Sequence, residues 1–130
     1  MSEPILAPVD IETAVCDLLT TKTGLTFATR VPNPRPSGEA YGRVTRSGGS
    51  PRNLIQSDPR VLVECWAPDD VAAFDLARLA YGHLWANYGG SGVWGGRISL
   101  TEPVNYPDPD TASPRYQFIA TITTDLEELE

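Results

Sequence analysis

The sequence predicts an α+β domain: a single, mostly antiparallel sheet of about four to five strands with two helices packed on it, in the order helix, three strands, helix, two strands. Three observations lead there. Two stretches carry the apolar repeat of a helix face, several others alternate with the period of two that marks a half-buried strand, and no internal repeat divides the chain. At 130 residues the whole chain, 1–130, fits one domain around one core.

Taken in order, Asp10–Lys22 places Ile11, Ala14, Val15, Leu18 and Leu19 on one helical face. Asp10 or the residue before it supplies the start, Lys22 complements the C-terminal dipole, and Gly24 suits a left-handed residue just past the end. Leu25–Val31 then alternates Leu25, Phe27, Thr29 and Val31 against Thr26, Ala28 and Arg30, which predicts a strand stopped by Pro32, Pro34 and Pro36. Glu39–Arg46 is a second strand, with Tyr41 and Val44 as candidate core and Arg43 and Arg46 leaning to solvent or a partner. Ser47–Pro51 is expected to be a flexible turn. Val61–Trp66 is the most apolar stretch and fits a central strand.

Pro68, Asp69 and Asp70 open the second helix, which runs to about Asn87. Its apolar residues fall nearly all round, with Val71, Phe74, Ala77, Tyr81, Leu84 and Trp85 on one face and Ala73, Leu76, Leu79 and Ala80 about the other. Such a helix is covered on two sides, by the sheet and by either the first helix or a neighbouring subunit. A glycine-rich turn, Gly89–Gly96, leads to a strand over Arg97–Glu102. Pro103–Pro114 is expected to be a loop, and Arg115–Thr124 gives the cleanest alternation of all.

Charge divides the chain as clearly as hydropathy does. The net charge is −7, yet residues 30–60 set Arg30, Arg35, Arg43, Arg46, Arg52 and Arg60 against Glu39 and Asp58, a local +4. From Glu102 onward seven acids face only Arg115, a local −6. The arginine segment lacks interleaved aromatics for base stacking, so a protein contact is the sharper reading than a nucleic-acid one. The opening residues show no basic start and no apolar run, so no secretory signal is expected, and no stretch has the length of a membrane-spanning helix.

Chemistry-bearing constellations are sparse. His83 is the single histidine and sits mid-helix, where a structural role is expected before a catalytic one. Cys16 and Cys65 have no metal-ligand spacing and are expected to be reduced, buried and structural. The Gly89–Gly96 turn follows a helix and precedes a strand, the reverse of a phosphate loop's setting. Asp69 and Asp70 are explained by helix capping, Asp108 and Asp110 by turn chemistry, since a hard cation needs more oxygen ligands than two carboxylates provide. No catalytic residue, cofactor or metal is expected.

Three stretches together, Asp58–Ala67, the alanine-rich Val71–Asn87 and Arg115–Ile122, resemble the tail terminator (tail completion) proteins of long-tailed, siphovirus-type bacteriophages. The short opening helix followed by a strand ending at Val31–Pro32 is similar too. The resemblance spans most of the chain through strand and helix patterns and carries no chemical signature. It implies a structural virion protein: a homo-oligomeric, hexameric ring at the neck end of the tail, assembled in host cytoplasm. The ring caps the tail tube, ends its polymerisation and offers a docking surface to the head connector. It further implies that Arg43, Arg46, Arg52 and Arg60 contact neighbouring subunits or the tube. DNA passes such a ring without specific binding, so acidic or neutral walls are expected, with Glu102, Asp108, Asp110 and the terminal acids as candidates to face the channel. Another neck or head–tail joining adaptor, and a small ligand-binding domain or enzyme, are the alternatives.

Overall fold

The computed structural model describes residues 5–32 and 39–129; Pro34, Arg35, Pro36 and Glu130, which figure in the sequence analysis, lie outside the described residues. Helix α1 (Ile11–Thr23) starts at Asp10, whose carboxylate accepts the Thr13 backbone N–H at 3.2 Å and the Thr13 hydroxyl at 2.8 Å. It ends at Gly24, φ 74°, a left-handed position that glycine occupies without steric cost. Ile11, Val15 and Leu19 point into the core. Helix α2 (Asp70–Ala86) is capped by Asp69, which accepts the Ala72 N–H at 2.8 Å.

The strands are β1 (Ile5–Ala7), β2 (Phe27–Ala28), β3 (Tyr41–Pro51), β4 (Gln56–Trp66), β5 (Ile98–Leu100), β6 (Val104–Asn105), β7 (Arg115–Ile122), β8 (Thr124–Asp125) and β9 (Glu127–Leu129). Seven of them form one mixed sheet in the order β2-β3-β4-β7-β5, with β6 also on β7 and β8 on β4. The β2–β3 pair is parallel and the other pairs in that sheet are antiparallel. β1 and β9 make a separate antiparallel ribbon.

This corrects the expected single sheet of about four to five strands. The additional strands are short pieces that pair with edges left open by their neighbours, a tertiary effect that local patterning does not carry. The Pro103–Pro114 loop contributes β6, and the acidic end contributes β8 and β9. The Leu25–Val31 alternation is realised as only two paired residues, Phe27 and Ala28. Ser47–Pro51, expected to turn, instead continues β3. A bulge between Arg46 and Gly48 shifts the register, and Gly48 and Gly49 follow at φ 122° and 127°. At Gly49 a Cβ would meet the Asp58 carbonyl oxygen at 2.6 Å, so only glycine lets the two backbones approach this closely.

Register sorts the sheet's two faces. Val44, Val63 and Phe118 share one row beneath the helices, whereas Arg43, Glu64 and Gln117 share a row on the opposite, helix-free face. The core lies in the first layer, where α2 buries Ala73, Leu76, Ala77, Ala80 and Leu84. Three of these five are alanines, so the helix rests close on the strands. Val71, Phe74 and Trp85, which the sequence grouped on one covered face, turn outward instead.

Each strand of the β3–β4 hairpin is longer than helix α2. Eleven residues of β4 extend about 36 Å at 3.3 Å each, against about 25 Å for the seventeen residues of α2. The far end of the hairpin, an arm closed by the turn of residues 52–55, carries β8 alongside Gln56 and Ser57 of β4.

Candidate functional site

Arg43, Arg46, Arg52 and Arg60 all lie on this hairpin, and they have different fates. Arg43 and Arg52 are committed within the chain. The Arg43 guanidinium reaches Glu64 Oε1 at 2.7 Å, and Arg52 Nε donates to Asp58 Oδ1 at 3.1 Å. Arg46 sits beside the bulge, where its backbone N–H donates to the Glu12 carboxylate at 2.8 Å. Arg60 is exposed. Thr123 Oγ1 also donates to Asp58 Oδ1, at 2.6 Å. This bond, followed by Arg52, holds the Asp58 carboxyl below its usual range.

The arm's end is ordered by its own hydrogen bonds. Asn53 Oδ1 accepts the N–H groups of Ile55 and Gln56, each at 2.9 Å, and Asn53 Nδ2 donates to Gln56 Oε1 at 3.0 Å. Arg52 N donates to the Gln56 carbonyl at 3.0 Å, and Leu126 N to the Ile55 carbonyl at 2.8 Å. An asparagine closing on the amides two and three residues ahead is a common turn device. Here it presents Leu54 and Ile55, 91% and 62% exposed, on a fixed turn. The β1–β9 ribbon exposes Ile5, Leu6 and Leu129.

A buried ionic cluster occupies the helix-free face at the other end of the hairpin. Glu64, 2% exposed, accepts from Arg43 through Oε1 and from Arg115 Nη1 through Oε2 at 2.8 Å. Arg115, 7% exposed, also donates from Nε to the Tyr106 carbonyl at 2.9 Å. Its guanidinium carbon lies 5.5 Å from the Trp66 ring centroid and 5.3 Å from that of Tyr106. Trp66 stacks on Tyr41 at 5.0 Å, and its Nε1–H donates to Asp108 Oδ2 at 3.1 Å. Sequence reasoning missed this cluster. The available signal was a lone carboxylate inside the apolar run Val61–Trp66, since a buried charge requires a partner.

The expected channel-facing acids divide in the same way. Asp108 is 3% exposed; besides Trp66, it accepts the Asp110 N–H at 2.9 Å. It is part of the interior, with an Asx turn and an indole engaging its carboxylate. Glu102 and Asp110 are exposed, as are Asp125, Glu127 and Glu128. Glu102 borders a groove of about 270 Å3 lined by Phe74, Arg78, Tyr81 and Pro103.

The chain matches no family model and no curated protein. Among the described residues no three His, Cys, Asp or Glu side chains gather as a metal site, and no helix is long and apolar enough to cross a membrane. Both cysteines are free and buried. Burial pushes the Cys16 thiol up to about 11 and the Cys65 thiol higher still, so neither is a nucleophile near neutrality. The half-buried His83 lies in α2. What the surface does offer is apolar: the arm tip, the ribbon and the outer side of α2.

Proposed function

We propose that this chain is a structural ring subunit that caps the tube of a long-tailed phage, ends its polymerisation and receives the head connector. The observation that carries the reading is the β3–β4 arm. Its hydrogen-bonded turn holds two aliphatic side chains, Leu54 and Ile55, in water, an arrangement suited to gripping another surface. Its fixed conformation leaves little ordering entropy to be lost on contact. The resemblance in strand and helix pattern to tail terminator proteins gives the kind of assembly. The strongest buried polar cluster is consumed in holding the fold together, which leaves the surfaces to supply function.

In this reading Arg46 and Arg60, on the arm, meet neighbouring subunits or the tube, while Arg43 and Arg52 shape it through Glu64 and Asp58. Glu102, Asp110, Asp125 of β8 and the ribbon acids Glu127 and Glu128 are the candidates to keep a lumen from gripping phosphate. Electron microscopy of polymerising tail-tube subunits, with and without the purified protein, is the test. Capped tubes of restricted length support the reading. Unrestricted tubes with the protein bound only at connectors favour a neck adaptor instead, and turnover of a small molecule would remove the structural reading.

A further inference from the structure

Helix α2 carries an outward stripe with the spacing of a coiled-coil seam, Val71, Phe74, Arg78, Tyr81 and Trp85 at intervals of three and four, which Tyr88 continues just past the helix end. Phe74 and Tyr81 touch Tyr116 and Phe118 of β7, so the stripe's inner side is anchored on the sheet. Its outer side is uncovered. Phe74, Trp85 and Tyr88 are exposed, although α1 packs on the same helix.

The stripe has two depressions, and charge distinguishes them. The one near Trp85 and Tyr88 is bordered by Arg97. The one near Phe74 and Tyr81 is bordered by Glu102 and Arg78, with Asp69, Asp70 and Asp75 on neighbouring turns. Arg78 offsets part of that charge through its pair with Asp75 at 3.5 Å. The arm has the opposite balance, with Arg46, Arg52 and Arg60 against Asp58.

We propose that the arm tip of one subunit, Leu54 with Ile55, seats in the Phe74–Tyr81–Pro103 groove of a second copy, with the arm's arginines facing Glu102 and the acids of α2. The aliphatic pair is the exposed, pre-ordered knob, and a groove of about 270 Å3 with aromatic walls is the matching hole. The two cannot be one symmetric patch. The arm continues β3 and β4, whereas the groove borders the β5–β6 edge, beyond β7 in the strand order. A contact of tip to groove is therefore head-to-tail, the kind that closes into a ring when its rotation permits. This inference rests on reading the chain as a ring subunit and names the surfaces that join.

Paramagnetic relaxation between copies tests it. A nitroxide on Leu54→Cys, in isotopically unlabelled protein, is mixed at millimolar concentration with labelled wild-type protein. The native thiols are buried and protonated, so the label goes to the tip. The expected result is selective intensity loss at the amides of Phe74, Tyr81 and Glu102, reduced by Glu102→Lys in the labelled partner and by added salt. Loss confined to Trp85 and Tyr88, to the tip itself or to the helix-free sheet face overturns the proposal, as does no loss at all. The tube-capping assay is separate. Capping without this contact sinks the interface alone, and the contact without capping sinks the terminator reading alone.

Discussion

Replacing Glu64 by glutamine isolates the electrostatics of the buried cluster, because the side chain keeps its shape while one acceptor oxygen becomes a donor and the charge is lost. Two arginines are affected, unequally. Arg43 has a third of its side chain in solvent, 34%, so water replaces most of what Glu64 supplied, at a cost of about 0–1 kcal/mol. Arg115 has no such recourse: its side chain is 8% exposed, and it keeps the Tyr106 carbonyl and two aromatic rings but no counter-charge. Breaking a buried pair from one side costs about 3–5 kcal/mol. In a chain of this size each kcal/mol moves the melting midpoint by roughly 3–5 °C, so Glu64→Gln should melt roughly 9–25 °C below wild type. Urea unfolding followed by tryptophan fluorescence gives the free energy, with an unchanged slope showing that the denatured state is not the cause. Arg43→Met should cost little. Glu64→Leu combined with Arg115→Met should recover much of the loss, since the two apolar side chains leave no buried charge orphaned and Arg43 can turn to water. A Glu64→Gln variant within about 1 kcal/mol of wild type, or a double variant as unstable as Glu64→Gln alone, would refute the reasoning.

Three further outcomes follow from the geometry. Gly42 is buried under the Phe27 ring, which an added methyl would strike; Gly42→Ala should cost about 1–3 kcal/mol in thermal or urea unfolding as the ring is displaced. Asp58 has a depressed folded-state pKa, so its contribution is present above the unfolded value of about 3.9 and is lost as pH falls through the lower, folded value. Asp58→Asn should therefore flatten the acid limb of the stability–pH curve, and an acid limb identical to wild type would discount the Thr123 and Arg52 contacts. Finally, iodoacetamide at pH 7.5 should leave both thiols unmodified in native protein and alkylate both in urea, read by mass; fast native labelling would contradict the burial of Cys16 and Cys65.

Both helices were legible because their signals are local. Asp10, Gly24 and Asp69 act within one turn of where they stand, and the apolar repeats sit between them. The central strands β4 and β7 were legible for a related reason, a long apolar or alternating run. The small strands were not. Val104–Asn105, Thr124–Asp125 and Glu127–Leu129 have no strand composition, and they pair because β7, β4 and β1 offer open edges at those points. The long arm was hidden by Gly48, Gly49 and Pro51, residues that signal a turn in isolation and here mark a bulge and a close approach of two backbones. The arginine segment was correctly singled out as charged, but composition could not separate Arg43, held by a carboxylate twenty-one positions away, from the exposed Arg60. Glu64 itself was overlooked because a single acid in an apolar strand changes the average hydropathy very little.

The central position of β4 has a consequence during synthesis. β3 emerges before β4 and can pair with it at once, whereas β7, its partner on the other side, begins roughly fifty residues later, at Arg115. At about 5–20 residues per second the ribosome takes about 2–10 s to deliver it. Throughout that interval the most apolar segment of the chain has one bare hydrogen-bonding edge, with α2 arriving to shield a face and not that edge. The nascent protein thus passes through a stage in which sticking to another unfinished copy competes with its own completion, and slower translation of residues 67–114 should lower the soluble yield.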